Sequence, residues 1–495
     1  MGPKLLLINP AMTQDGPFPR EATRERAEPM ARPGLARQRR QANAGGLVTM
    51  EPLGLAYVAA VTPPHWQVRI IDEVLDEIPA GYTPDLVGLC SLSITAPRAY
   101  QIASWYRRRG IPVVMGGVHA TLCPGEAEQY VDAVYLGEAE QRWSQVIADV
   151  EAGRLQRRYD GGASTLHDLP CPRRGAYEHR YRLNLVSASR GCRYRCEFCT
   201  LWKLDGGHYR ARPPQDVWRE LAGMPARRPM LFTDENVFTD RDWALSLFRG
   251  MAERGLRRPY AVQASLNVAD DTEMLAALKG SGCMTVLIGF ESVSEESLRI
   301  MRKGVNLKIG VGHYKERIDR LHDQGLAASG TFIFGNDGDQ PDIFERTAEF
   351  VLDTGLDLAH FGLLTPYPGT DLYDRLARED RLLYTDFPQD YVRYDLHTAV
   401  FRPRQMTPEQ LEEGLQWATH QVSSWSMTVR RAWKTWSATG NLWMTALSLV
   451  WNRSGLYQRV VSHRNSRHEP ASDPEPSGWE ISGIREDRRQ SRSEV

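Results

Sequence analysis

Two trains of short apolar runs, each run followed by a helix-like stretch, set most of what this 495-residue chain can fold into. The first train has runs at residues 5–8, 68–71, 86–89, 113–115 and 133–136, with helix-like stretches at 53–61 and 99–109. The second has runs at 183–188, 230–233, 261–265, 285–289, 331–334 and 360–364. Strands that are apolar throughout and separated by helices belong to parallel sheets covered on both faces. The pattern predicts an α/β protein with a doubly wound parallel sheet in residues 1–150, a linker in 151–180 and a six-unit partial barrel in 181–375. Such sheets bind ligands at the carboxyl ends of their strands. In the first train those ends carry Asn9, Ser91, Thr95, Gly116, Gly117, His119, Gly137 and Glu138. Small and hydroxyl-bearing residues there let a large flat ligand approach the backbone. A lone histidine such as His119 is more often a structural hydrogen-bonder than a ligand. There is no G-x-G-x-x-G fingerprint, which argues against a dinucleotide.

The first strand end of the second train carries the chemistry. Three of the seven cysteines fall within eight residues, as Cys192, Cys196 and Cys199, with Phe198 before the last. A C-x3-C-x2-C loop can aim three thiolates at one iron–sulfur cluster, whereas zinc would want a fourth ligand and none is adjacent. Three thiolates on a four-iron cluster leave one iron open. Cys171, 21 residues upstream of the motif, is not expected to be a ligand, and Cys90 and Cys123 read as packing residues.

The triad, the aromatic residue and the preceding strand-like run resemble the radical S-adenosylmethionine (SAM) superfamily. That resemblance implies a [4Fe-4S] cluster on Cys192, Cys196 and Cys199, with SAM on the open iron and Phe198 near its adenine. It also implies SAM contacts from Asp234, Gln263, Ser265, Glu291 and Ser292 at later strand ends. The alternative for Asp234 and Glu291 is a structural pairing with an internal arginine. The first train resembles the cobalamin-binding domain of the B12-dependent branch, through residues 52–57, 85–88, Gly116-Gly117-x-His119-x-Thr121 and 136–138. The D-x-H-x-x-G motif that ligates cobalt in other B12 proteins is absent. The implied activity is methylation of an unactivated carbon in a secondary metabolite or lipid, with cobalamin as cofactor and a flavodoxin- or ferredoxin-type electron donor. The alternatives are a cyclase or rearrangement enzyme of the anaerobic Mg-protoporphyrin monomethyl ester cyclase type, and a non-catalytic cobalamin or iron–sulfur sensor. A tRNA methylthiotransferase would want more cluster cysteines and a basic RNA module.

Beyond the barrel the chain turns helical over residues 376–460. Thr407-Pro408-Glu409-Gln410 is a helix start, and Leu411, Leu415, Ala418, Val422, Trp425 and Val429 then recur as one amphipathic helix of about six turns. Six tryptophans between 417 and 451 read as core, or as a wall over the barrel mouth or a contact for an apolar substrate or membrane surface. Residues 461–495 are polar and expected to be disordered, and the arginine-rich stretch 14–46 is expected to be a capping loop. Net charge is -1, so no global field favours nucleic acid. Clustered, odd-numbered cysteines and no run near the ~20 apolar residues of a membrane span imply a cytoplasmic protein, with peripheral membrane contact left open.

Overall fold

The structure, a computed structural model, describes residues 2–12 and 50–453 apart from positions 80, 168, 180, 227 and 441. The expected loop 14–46 and tail 461–495 lie outside the described residues. The amino-terminal sheet has six parallel strands: β1 (Lys4–Asn9), β2 (Gln67–Asp72), β3 (Leu86–Cys90), β4 (Val113–Gly116), β5 (Ala133–Leu136) and β6 (Arg158–Asp160). Their order is β2-β1-β3-β4-β5-β6. The strand direction of winding changes between β1 and β3, the kind of switch point at which such sheets open a crevice. β1 shows why its run is apolar throughout. Leu5 and Leu7 pack on one face, with helices α1 (Leu53–Val61) and α3 (Trp143–Glu151), while Leu6 and Ile8 pack on the other, with α2 (Ala96–Arg107). The strand β6 falls within the stretch read as linker. Only Tyr159 of its three residues is buried, so an edge strand of this length leaves no apolar run to see.

The second sheet contains β7 (Asn184–Val186), β10 (Met230–Phe232), β11 (Tyr260–Ala264), β12 (Cys283–Glu291), β13 (Ala327–Phe334) and β14 (Leu358–Leu363). A two-residue ribbon, β8 (Ser189–Arg190) with β9 (Arg210–Ala211), lies between the first two. The order β14-β13-β12-β11-β10-β7 runs through the chain without a switch, as a partial barrel requires, and each of the six expected strands is present.

The carboxyl-terminal helices depart from expectation. The capping box forms, with Gln410 N–H donating to Thr407 Oγ1 at 3.2 Å and Thr407 N–H to Gln410 Oε1 at 2.9 Å. The single long helix does not: Ser424, extended at φ -60° and ψ 152°, divides it into α4 (Pro408–Ser423) and α5 (Trp425–Thr439), followed by α6 (Leu442–Arg453). Leu411, Leu415, Ala418 and Val422 are buried, but Trp425 and Val429 are 60% and 53% exposed. Past the break the side of α5 turned to the barrel is polar. Buried Arg431 donates to the carbonyls of Leu356 and Asp357, both at 3.0 Å, just before β14 begins. α5 and α6 therefore cover the amino-terminal end of the barrel, opposite the mouth, and the tryptophans of α5 are neither core nor a wall over the mouth.

Candidate active site

The carboxyl ends of both sheets face one cavity of about 400 Å³. Its apolar walls include Leu7, Leu55, Val114, Tyr135 and Trp143, and its rim includes Gly116, Gly117, Gly137, Glu138, Glu140, Arg190, Thr233 and Glu235. Gly137 sits at φ +70°, and a Cβ there would lie 2.5 Å from the Gly162 carbonyl, so the turn itself demands glycine. Four of the first-train residues, Gly116, Gly117, Gly137 and Glu138, reach the cavity. Asn9, Ser91, Thr95 and His119 are not among the residues that line it. Asn9 Nδ2 donates to Asp72 at 3.0 Å, and Ser91 and Thr95 hydroxyls bond each other at 3.1 Å. His119 is fully buried, with Nε2 2.8 Å from Tyr100 Oη and Nδ1 3.3 Å from Ser93 Oγ, so both ring nitrogens are spent on structure.

The cysteine loop is fastened at both ends. Gly191, at φ +91°, starts it where a Cβ would strike the His208 carbonyl, and the β8–β9 ribbon closes it. At the other end Glu197 receives Arg375 at 2.7 and 3.1 Å, tying the motif to the helix Asp371–Arg378. Burial raises the thiol pKa of all three cysteines, that of Cys199 to about 11, and each stands close enough to Lys303 for its charge to oppose the rise. Lys303 pairs with Glu291 at 2.6 Å. Burial works against the Lys303 ammonium, but Glu291 and the cysteines outweigh it and hold it charged. Glu291 is a non-glycine residue at φ +63°, where β12 shifts register against β13. Backbone strain of that kind persists where the surroundings impose it, commonly at functional sites. The internal cation expected as a structural partner is thus a lysine beside the cluster loop, not an arginine.

Among the described residues no three His, Cys, Asp or Glu side chains converge on a single-ion site. Three thiols in one short loop, Cys196 buried and Cys192 and Cys199 partly so, with a cation beside them, suit a cluster of several irons. Phe198 packs against the barrel core at the loop's end. Asp234 is engaged within the protein. It is fully buried, and its oxygens accept from the Ser189 hydroxyl and, at 3.2 Å, from the Ala188 N–H. The carboxylate that does reach the cavity is its neighbour Glu235, which also accepts from Gly191 N–H at 3.0 Å. Ser292 is spent on the Ser294 N–H at 3.1 Å, and Ser265 bonds Asn267 at 2.6 Å and Asn236 at 3.2 Å. Gln263 is half-buried within β11, where its carbonyl accepts from Val237 N–H at 3.0 Å.

Burial raises Asp234 to about 6 and Glu235 to about 7. A carboxyl held above its ordinary range binds protons in the folded chain that the unfolded chain releases, so this stabilisation is lost as pH rises through about 4 to 7. Asp234 alone carries on the order of 2–3 kcal/mol of it. We expect thermal unfolding of the cofactor-free protein to begin at higher temperature near pH ~5 than near pH ~7.5, and Asp234→Asn to shrink that difference. An unchanged difference in the variant would assign the pH dependence to other groups.

The Radical SAM superfamily model matches residues 186–351, and the B12 binding domain model matches residues 44–147. The chain belongs to the B12-binding radical SAM enzymes. Its cofactors are a [4Fe-4S] cluster, SAM and cobalamin. The chain is 29% identical over 400 residues, 78% of its length and 85% of the relative's, to bacteriochlorophyllide d C-12(1)-methyltransferase of Chlorobaculum tepidum. It is 29% identical over 357 residues, 68% of its length and 66% of the relative's, to the hopanoid C-2 methylase of Rhodopseudomonas palustris. An anaerobic magnesium-protoporphyrin IX monomethyl ester cyclase of Rubrivivax gelatinosus stands at 24% over 372 residues, 68% of this chain and 65% of the relative. The radical SAM methyltransferase TsrM of Kitasatospora setae, solved with cobalamin and a [4Fe-4S] cluster, shares the fold at TM-score 0.62 and 16% identity, over 94% of this chain and 100% of that one. The residues present fit these groups. The cavity joins the cobalamin-type strand ends to Ser189 and Arg190, which lead into the cluster loop, and Tyr57 Oη on its wall is buried without a hydrogen-bond partner. No histidine is among the residues lining the cavity, in keeping with the missing D-x-H-x-x-G motif.

Proposed function

We propose that this enzyme transfers a methyl group to an unactivated carbon of a large, mainly apolar molecule, of the tetrapyrrole or polycyclic lipid class. The observation that carries the reading is the single cavity bordered by Gly116, Gly137 and Glu138 from one sheet and by Ser189, Arg190, Thr233 and Glu235 from the other. The methyltransferase relatives at 29% identity support methyl transfer over the cyclase at 24%. When bound, SAM on the cluster supplies a carbon-centred radical and cobalamin supplies a transferable methyl group. The chain's own residues place and shield. Cys192, Cys196 and Cys199 hold the cluster, and the Lys303 ammonium offsets thiolate charge beside it. Glu235 and Thr233 offer acceptors at the rim, and the apolar wall of Leu7, Leu55, Val114 and Trp143 keeps water from a reactive centre. No acid–base pair is required of the protein. All seven cysteines are free thiols, which supports a reducing, cytoplasmic setting with a one-electron donor of the flavodoxin or ferredoxin type.

The test uses anaerobic full-length protein loaded with iron, sulfide and hydroxocobalamin, then given SAM, a strong reductant and either a chlorophyllide-type tetrapyrrole or a hopanoid. Stoichiometric cobalt, a full cluster, 5′-deoxyadenosine and a product heavier by one methyl group are expected. SAM cleavage without bound cobalt would remove the methyl-transfer reading. A ring-closed product without added methyl would favour the cyclase reading, and absence of a cluster would overturn both.

A further inference from the structure

The face of α5 turned away from the barrel has no role in the chemistry and is built in an unusual way. Trp425, Val429, Trp433 and Trp436 recur at steps that place them on one side of a helix. They are 60, 53, 68 and 39% exposed, and Leu442 at the start of α6 is 72% exposed. The opposite side, packed on the barrel, carries Thr428, Arg431 and Thr435, all buried. Thr435 Oγ1 donates to Asp357 Oδ1 at 2.5 Å, and Arg431 holds the two carbonyls described above. The amphipathic pattern is therefore inverted relative to a surface helix, whose apolar stripe normally faces the core. Three exposed tryptophans on one helix face are an energetic liability in water and an asset at a water–lipid boundary, where indole rings settle.

Charge selects the kind of surface. Residues 414–453 contain no Asp or Glu, yet carry Arg430, Lys434 and Arg453 besides the buried Arg431. Beside the tryptophan face Arg430 is exposed, whereas Lys434, partly buried near Arg430 and Lys315, donates to the Leu352 and Asp353 carbonyls at 3.4 and 3.3 Å. Asp353 and Asp319 lie close by on the barrel side and only partly offset this cluster. Among the described residues no helix is long and apolar enough to cross a membrane, so the face can lie on a bilayer without spanning it.

We propose that α5 and the start of α6 form a docking face for the surface of a bilayer containing anionic lipid, with the tryptophans in the interface and Arg430 toward the headgroups. The proposal does not depend on the reaction assigned above. The barrel mouth faces away from this surface, so docking holds the enzyme at the membrane without burying its active site.

The test is co-sedimentation of the full-length, cofactor-loaded protein with vesicles of phosphatidylglycerol and phosphatidylcholine, or of phosphatidylcholine alone. Binding to the anionic vesicles is expected, with a blue shift of tryptophan emission and loss of binding at high salt. The double variant Trp425→Ser/Trp433→Ser is expected to bind at least about tenfold more weakly while keeping its cluster and circular dichroism spectrum. A second variant, Arg430→Glu, leaves the aromatic face intact and should lose the preference for anionic vesicles. Absence of vesicle binding, or binding unaffected by both variants, would overturn the proposal. So would sedimentation equilibrium showing a dimer that the tryptophan variant converts to monomer, since a second copy would then own the face.

Discussion

Replacing Cys196 by alanine is expected to leave iron at background and 5′-deoxyadenosine below detection, while cobalt stays within about twofold of the unmodified protein. Of the three motif cysteines Cys196 is the buried one, at 6% exposure, and it follows Arg195 at the inner turn of the loop. Its backbone carbonyl accepts from Cys199 N–H at 3.1 Å, so the two thiols are set relative to each other by the chain itself. Removing one of three ligands leaves a second iron without protein support, and no other cysteine is in the loop to replace it. The cobalamin-side border, Gly116, Gly137 and Glu138, rests on β4 and β5 and their own turns, not on the cluster. Iron and cobalt analysis after anaerobic reconstitution, with chromatographic detection of 5′-deoxyadenosine, decides the outcome. Retention of the cluster would mean a ligand from outside the motif. Cys171→Ala, at an exposed thiol, is the matching control and should change neither metal.

What could be read from the sequence was whatever local pattern encodes. Apolar runs announced eleven of the twelve strands in the two six-stranded sheets, because each is at least half apolar and largely covered, and the twelfth escaped because β6 is an edge with one buried side chain. The cysteine triad was legible because its ligands are close in sequence. Side-chain direction was not. Asp234 and Glu235 are adjacent, and only the pleat of β10 and its exit decide that Glu235 meets the cavity while Asp234 turns inward to Ser189. His119 reads from the sequence as a structural hydrogen-bonder, but its partners Tyr100 and Ser93 come from a different turn of the fold, and no local signal names them. The periodicity through Trp425 and Val429 is real but changes sides at Ser424, since an extended residue resets the phase of the helix that follows. Glu197, hidden inside the motif, could have been flagged as a charge in a loop otherwise devoted to thiols. Its partner Arg375 is 178 residues away, and no local signal names it.

The same holds for Arg190, whose replacement should separate the two halves of the reaction. It directly precedes the Gly191-Cys192 start of the cluster loop, yet its guanidinium reaches the other sheet, 2.6 Å from Glu140 and 3.1 Å from Glu138. Arg210, on the ribbon partner β9, binds Glu138 at 2.7 Å and Asp205 at 2.8 Å, so the network joins both ends of the loop to the turn after β5. The Arg190 and Glu140 side chains are 16% and 8% exposed, so the pair is screened far less than a surface bridge. Arg190→Met keeps the length and packing over the Tyr57 ring but leaves Glu140 without its partner, and removing one member of a buried pair costs about 3–5 kcal/mol at most. Arg210 still engages Glu138, which keeps the fold intact. Cys192, Cys196, Cys199 and Glu235 are untouched, so SAM cleavage to 5′-deoxyadenosine should stay within a few-fold of the unmodified enzyme. Methyl transfer needs the cobalamin-side strand ends held at a fixed distance from the cluster loop, and a misplacement of about 1 Å can cost about 10²-fold. The expected result is a rise of that order in 5′-deoxyadenosine formed per methylated product, measured with both compounds quantified in one reaction. A parallel fall of both would make Arg190 a support of the cluster loop alone. An unchanged ratio would mean that Arg210 and Glu138 suffice to set the spacing, and Arg210→Met in the same background would then be the variant that uncouples.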